Sequence, residues 1–416
     1  MFRRAFALAF VTLALAGCGV SSGPTPRGGL SARSLPATPS TVAPPGRTVA
    51  LLAPLSGSNA ERGRALANAA QLALSPPGSP ALDVRDTGGT PQGAAQAARA
   101  ALAAGAGMII GPLTGPETAA VAPLARAAGV AVLAFTSDPA QAQPGVWTLG
   151  IMPAQQVRRL VAATAAQGKS RFTAVLPDDD FGRAMAAALA DAIREASLPP
   201  PDIHFHAGST AAINATMRAV SAYDSRRGPV DAQMRAARAA HTAEGRRRAA
   251  EIARTPIPPP PMDALLLADT GERLGTIASL LPYYDLDPPA VRVLGPALWA
   301  APVARADAAL RGAWFAAPDP QARAGFDAQY QAQFGAPAPG LADFAFDAAS
   351  IARVLAGEGG YSAAALTRPE GFAGVNGVLA LQPDGTVRRG LALFEIRRGS
   401  IEMIEPAPDA IGTPGI

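Results

Sequence analysis

The chain has one cysteine, Cys18, and one lysine, Lys169, in 416 residues. A disulfide within the chain is therefore excluded, and lysine-based phosphate loops are nearly so. "QGKS" at 167–170 has Ala163 where such a loop needs glycine and precedes a strand pattern instead of following one. "GPLTGPE" at 111–117 has no lysine at all. Only three histidines are present, His204, His206 and His241. His204 and His206 fall on one face of a strand at i, i+2, with no third ligand nearby in sequence, so ordinary strand-edge histidines are expected and no metal or other cofactor. The Gly-x-Ser-x-Gly match at 19–23 lies in the Pro/Gly/Ser-rich linker with no helix pattern after it and so is not a nucleophile elbow, and no catalytic constellation remains; the chain is not expected to be an enzyme. The net charge of +4 is thin for this length and gives no case for nucleic acid. Long hydrophobic runs are missing too. The longest, Ala5–Ala16, is short of the roughly 20 residues a membrane-crossing helix needs.

That run follows Arg3 and Arg4 and ends in small residues, which is the pattern of a secretion signal over 1–17. "LAGC" at 15–18 resembles the bacterial lipobox, in which the cysteine sulfur is lipidated and the chain is cut just before it. The resemblance implies a lipid anchor at Cys18, with thiol chemistry there blocked. Gly19 in place of aspartate implies an outer-membrane location facing the periplasm if the host is Gram-negative. Residues 18–47 are rich in Pro, Gly, Ser and Thr and read as a flexible linker, about 90 Å long if stretched as polyproline II.

From Thr48 short apolar runs alternate with alanine-rich helical stretches, which predicts an α/β body with mainly parallel sheets flanked by helices. Strands are expected at 48–54, 81–87, 107–112 and 130–135, and a second series at 171–177, 202–207, 262–269 and 291–296. Two series imply two lobes. Ligands of such sheets sit beyond the carboxyl ends of strands, so the loops after Ala53, Gly111, Phe135, Leu176 and Ala268 are the places to search.

"VALLAPLSGSNAERGRALANAAQLAL", "IIGPLTGPETAAVAPLARAAGVAVLAFTSDP", "AVLPDDDFGRAMAAALADAI" and the closing "AGFDAQYQAQFGAPAPGLADFAFDAASIARVL" resemble successive blocks of the type I periplasmic binding proteins, the leucine-binding family. The resemblance implies three crossovers between lobes in a domain spanning 48–405. Lobe I would hold 48–150 and 318–368, lobe II 151–317 and 369–405, and 406–416 would form a tail. It also implies ligand contacts at Ser56, Thr114, Thr136 and Ser137, an aromatic face at Phe181 and a cation partner at Asp269. Helix capping and turn chemistry account equally for the four hydroxyls, and Asp269 could instead cap a helix beginning near Gly271. "DDD" at 178–180 reads as a cap.

"LLPYYDLDPPAVRVLGPALW" and "GAWFAAPDP" resemble the subgroup of penicillin-binding protein activators, which implies a cell-wall synthase as partner in peptidoglycan synthesis. The alternative partner is an ABC importer permease, with capture of an amino-acid-like solute of branched-chain type. One insertion stands apart. Residues 223–254 hold eight arginines against four acids and read as a helix or helical pair stopped by "TPIPPPP". A solvated face with intrahelical ion pairs is the expectation there, and a cationic partner-docking face or contact with anionic cell-wall polymer the alternative.

Overall fold

The computed structural model describes residues 46–301, 308–410 and 412. The signal, Cys18 and the linker before Gly46 lie outside the described residues. Among the described residues no helix is long and apolar enough to cross a membrane.

Two sheets of like order form the body. In the first, β1 (Thr48–Ala53), β2 (Leu82–Asp86), β3 (Ala106–Ile110), β4 (Ala131–Ala134) and β5 (Val146–Thr148) run parallel in the order β2-β1-β3-β4-β5. β1 and β3 sit inside this sheet and read as near-continuous apolar runs because both faces are covered. One face packs on α1 (Ala60–Ala73), α11 (Pro320–Phe334) and α12 (Ala342–Gly357), and the other on α2 (Pro91–Ala103) and α3 (Gly115–Ala127).

The second sheet repeats the plan. β6 (Phe172–Pro177), β7 (Asp202–His206), β8 (Ala264–Leu267), β9 (Arg292–Gly295) and β10 (Trp314–Ala317) lie parallel in the order β7-β6-β8-β9-β10. β14 (Ala392–Ile396) and β15 (Ile401–Glu405) extend it antiparallel beyond β10. Helices α4 (Pro153–Ala166) and α5 (Asp180–Glu195) cover one face, and α6 (Thr210–Val220) and α10 (Gly271–Leu280) the other.

The lobes share a local device. In each, the first strand ends in a proline and the following helix carries a glycine in its first turn, Gly63 after Pro54 and Gly182 after Pro177. A Cβ at either glycine would lie 2.0 Å or less from that proline's carbonyl oxygen, so only glycine lets the helix start so close to the strand end.

The chain passes between lobes at 149–153, again at 317–320, and last at 389–391. The final passage differs from the expected one at Pro369. A small antiparallel sheet of β11 (Phe372–Gly374), β12 (Gly377–Leu381) and β13 (Val387–Arg389) intervenes. Its Phe372, Val375, Leu379, Leu381 and Val387 are buried in the core of the first lobe, whereas Leu391 and Leu393 join the second. Residues 369–389 therefore belong with lobe I by their packing.

Candidate functional site

In an open sheet ordered 2-1-3-4-5 the chain reverses its winding between the first and third strands, and that switch point opens a crevice. The switch point of the first sheet lies between β1 and β3, whose following loops carry Ser56 and Thr114. In the second it lies between β6 and β8, whose loops carry Phe181 and Asp269. Thr136 and Ser137 follow β4. Topology thus places all six expected ligand residues at strand ends, but their side chains are engaged in different ways.

Thr114 is the N-cap of α3. Its hydroxyl donates to Glu117 Oε2 at 2.7 Å, and its N–H donates to the same oxygen at 3.1 Å. Glu117 is fully buried and also accepts from the Thr87 hydroxyl at 2.6 Å, so one carboxylate ties the loops after β2 and β3 together. Ser56 is exposed, but its hydroxyl is directed to Asp86, whose carboxyl is held below its ordinary range first by that hydroxyl and then by the N–H groups of Gly88, Leu55 and Ser56. Thr136 is buried and its hydroxyl accepts from Asp138 N–H at 3.0 Å. Ser137 is exposed.

Across the switch point of the second sheet, Asp179 caps α5 by accepting from Gly182 N–H at 2.9 Å, as the sequence pattern suggested. Phe181 is half-buried and packs on the core of lobe II. Asp269 does not cap α10, whose N-cap is Thr270. Its carboxylate is fully buried between two cationic or imidazole groups: His206 Nε2 lies 2.9 Å from Oδ2 and Arg273 Nε lies 3.0 Å from Oδ1. Gly208 N–H donates to His206 Nδ1 at 3.2 Å, which leaves the proton of a neutral ring on Nε2, where it donates to Asp269. The Asp269 carbonyl accepts from Trp299 Nε1–H at 3.0 Å. Arg273 continues the chain to Asp179, 3.8 Å away. The histidine partner comes from a different strand, and no local spacing could have paired it with Asp269. His204, the other half of the sequence pair, meets Asp202 at 2.8 Å instead. Among the described residues no three His, Cys, Asp or Glu side chains gather as a metal site would require.

Residues 47–210 match the family model described as periplasmic binding protein. The fold is that of a type I periplasmic binding protein. A protein ascribed to a branched-chain amino acid ABC transporter of Rhodospirillum rubrum superposes with a TM-score of 0.64 at 18% identity, covering 86% of this chain and 99% of that one. The C-domain of LpoA (YraM) from Haemophilus influenzae, a regulator of PBP1A, superposes with a TM-score of 0.61 at 16% identity, covering 86% and 99%. Full-length LpoA gives 0.62 at 16% identity over 86% of this chain, which spans 59% of that longer protein. No curated protein sequence matches the chain. These likenesses establish the type I fold, with transporter and regulator structures both among the neighbours.

The interlobe passages carry groups that the sequence did not single out. Arg389 is fully buried, 3.6 Å from Asp347, and donates to the Leu149 carbonyl. Burial raises the Asp347 carboxyl to about 6 against the opposing pull of Arg389. Asp343, one turn earlier on α12, pairs with Arg323 at 3.1 Å and accepts from Asn376. A cavity of about 320 Å³ also lies at these passages, lined by Thr148, Met152, Gln155, Arg158, Glu195 and Arg388 among others. None of the six expected ligand residues lines it. Arg158 grips Glu195 through Nε and Nη2 and is the first cause of that carboxyl's lowered pKa.

Proposed function

We propose that this chain is a non-catalytic, lipid-anchored extracytoplasmic protein that acts by engaging a protein partner, as an activator-like regulator of a cell-wall synthase. The observation that carries this reading is the internal engagement of Asp269. A zwitterionic solute needs an uncommitted carboxylate for its ammonium group, and here Asp269 is fully buried, bonded to His206 through Oδ2 and charge-paired with Arg273 at Oδ1, although Oδ1 has no hydrogen-bond partner among the described residues. The Thr114 hydroxyl is likewise committed to Glu117, and that of Thr136 already accepts from Asp138 N–H. Phe181 supplies an aromatic face without a hydroxyl. An anchor at Cys18 and a linker to residue 47 would let the body reach a partner well away from its membrane.

Two measurements test the reading. A synthase of the penicillin-binding class should polymerise glycan strands faster in the presence of this protein. A thermal-shift panel of amino acids and small carboxylates should leave its melting temperature unmoved. Capture of a solute for an ABC importer predicts the reverse: stabilisation of about 2.7 kcal/mol at a hundredfold excess over the dissociation constant. That result, without any effect on a synthase, would overturn the proposal. Loss of membrane association in Cys18→Ser would support the anchor independently.

A further inference from the structure

Between β7 and β8 the chain leaves the second sheet to form α6, a short α7 (Tyr223–Arg226), and the antiparallel pair α8 (Gly228–Ala239) and α9 (Ala243–Ile252). The root of this pair is firmly built. Tyr223 is buried and its hydroxyl donates to Asp231 at 2.7 Å. Arg226, also buried, donates to the carbonyls of Ser221, Tyr284 and Pro258 and pairs with Asp285 at 2.9 Å.

Beyond the root, the pair has almost no core. α8 buries no residue, and α9 buries only Gly245 and Ala249. The two helices meet backbone to backbone, a Cβ at Gly245 falling 2.4 Å from the Ala237 carbonyl oxygen. Helices this short are marginal alone, so their retention is not explained by what they add to the body's packing.

Their charge is unbalanced as well. The ion pairs of the insertion are confined to its root, where Arg218 meets Asp224, and Arg226 and Arg227 meet Asp285 and Asp231. Arg235, Arg238, Arg246, Arg247, Arg248 and Arg254 are all exposed, and among the described residues none of them forms an ion pair. Glu244 and Glu251 stand four residues from Arg248 and Arg247, yet the expected intrahelical pairs are not formed. Six guanidinium groups therefore face only two carboxylates, Glu244 and Glu251, and among the described residues pair with neither.

We propose that the α8–α9 pair is a docking arm for a carboxylate-rich peptide segment of a partner protein. Charge complementarity identifies the chemistry, and the distribution of charge selects the source. Arg246, Arg247 and Arg248 are successive residues about 100° apart, so they cover more than half of the circumference of α9. A flat lipid surface would engage only one side. The arm also has no exposed large apolar side chain of the kind an interfacial helix inserts into a membrane. At its root, Tyr283 is 52% exposed and stacks on Tyr223 with ring centroids 5.8 Å apart. Arginine and tyrosine are the residues in which protein interfaces concentrate their binding energy. The arm lies outside the switch-point loops, so this inference stands or falls separately from the reading of those loops.

The test uses the full chain and a fluorescein-labelled dodecapeptide rich in glutamate, read by anisotropy at 50 and 150 mM NaCl. The wild type should bind, more weakly at the higher salt. Arg246→Gln/Arg247→Gln/Arg248→Gln should bind about tenfold more weakly, while Arg62→Gln/Arg64→Gln/Arg99→Gln, an equal loss of exposed charge on lobe I, should change affinity by less than about twofold. Matching circular dichroism melts would establish that all three proteins are folded. Equal losses in the two variants would reduce the effect to net charge and overturn the proposal. So would no peptide binding at either salt, or arm-dependent sedimentation with phosphatidylglycerol vesicles in place of peptide binding.

Discussion

Arg389, the last residue of β13, donates from Nη2 to the carbonyl of Leu149 at 3.2 Å, joining the first and last passages between the lobes across 240 residues of sequence. Its guanidinium is fully buried, and its counter-charge is Asp347. Removing one member of such a pair leaves an uncompensated buried charge, which is costlier than replacing both. Arg389→Met should therefore cost about 3–5 kcal/mol in urea unfolding at pH 7. The cost should shrink at pH 5, where Asp347 takes up a proton and no longer needs the cation. An equal loss at both pH values would mean that Arg389 acts through packing alone.

Asp347 predicts a pH slope of its own. Burial raises its carboxyl from 3.8 to about 6, so the folded chain holds this proton more tightly than the unfolded chain does. The resulting stabilisation is complete below about pH 3.8 and is lost as pH rises through about 6. Over that window it amounts to about 3 kcal/mol, from 1.36 kcal/mol per unit. Asp347→Asn cannot titrate, so the difference in unfolding free energy between wild type and variant should vary across pH 4–6 in that direction. A difference that stays flat over the window would refute the assignment.

The same pair shows where sequence reading stops. The eight expected strands were legible because apolar periodicity is local, and their bounds fall within two residues of those observed, although β5 and β10 were not among them. Asp179 was legible as a cap for the same reason. Asp347 and Arg389 stand on a helix and a strand that meet only after the chain has folded, and nothing in either segment names the other. The boundary at Pro369 failed similarly. Phe372, Leu379 and Leu381 are buried apolar residues of β11 and β12, and apolar character alone does not say which lobe's core receives them. The switch-point loops were locatable from topology, whereas the partners of their side chains were not. One signal was available and unused: Thr114 and Glu117 stand at the spacing of a capping box.

That box gives a third prediction. Thr114→Ala removes one cap and should cost about 1 kcal/mol. Glu117→Ala should cost more, about 3 kcal/mol, because the buried hydroxyl of Thr87 and the N–H and hydroxyl of Thr114 lose their acceptor together. Chemical denaturation of both variants checks the order. If Thr114 instead served a ligand, its substitution would leave stability unchanged and would abolish a ligand response.

The fourth prediction separates structural from binding use of Asp269. Its Oδ2 is bonded to His206 Nε2 at 2.9 Å, and its Oδ1 is charge-paired with Arg273 Nε at 3.0 Å without hydrogen-bond geometry. An asparagine there offers one acceptor and one donor, so whichever way the amide turns, one neighbour faces an N–H group. Asp269→Asn should destabilise lobe II by about 1–3 kcal/mol, since the amide can still accept from His206 but loses the charge that strengthens that bond and pairs with Arg273. Arg273→Gln should cost at least as much, because it leaves the fully buried Asp269 carboxylate without its counter-charge and with only the His206 bond. If both variants unfold like the wild type but alter the response to amines in a thermal-shift panel, Asp269 belongs to a ligand site and the case for a partner-binding function loses its main support.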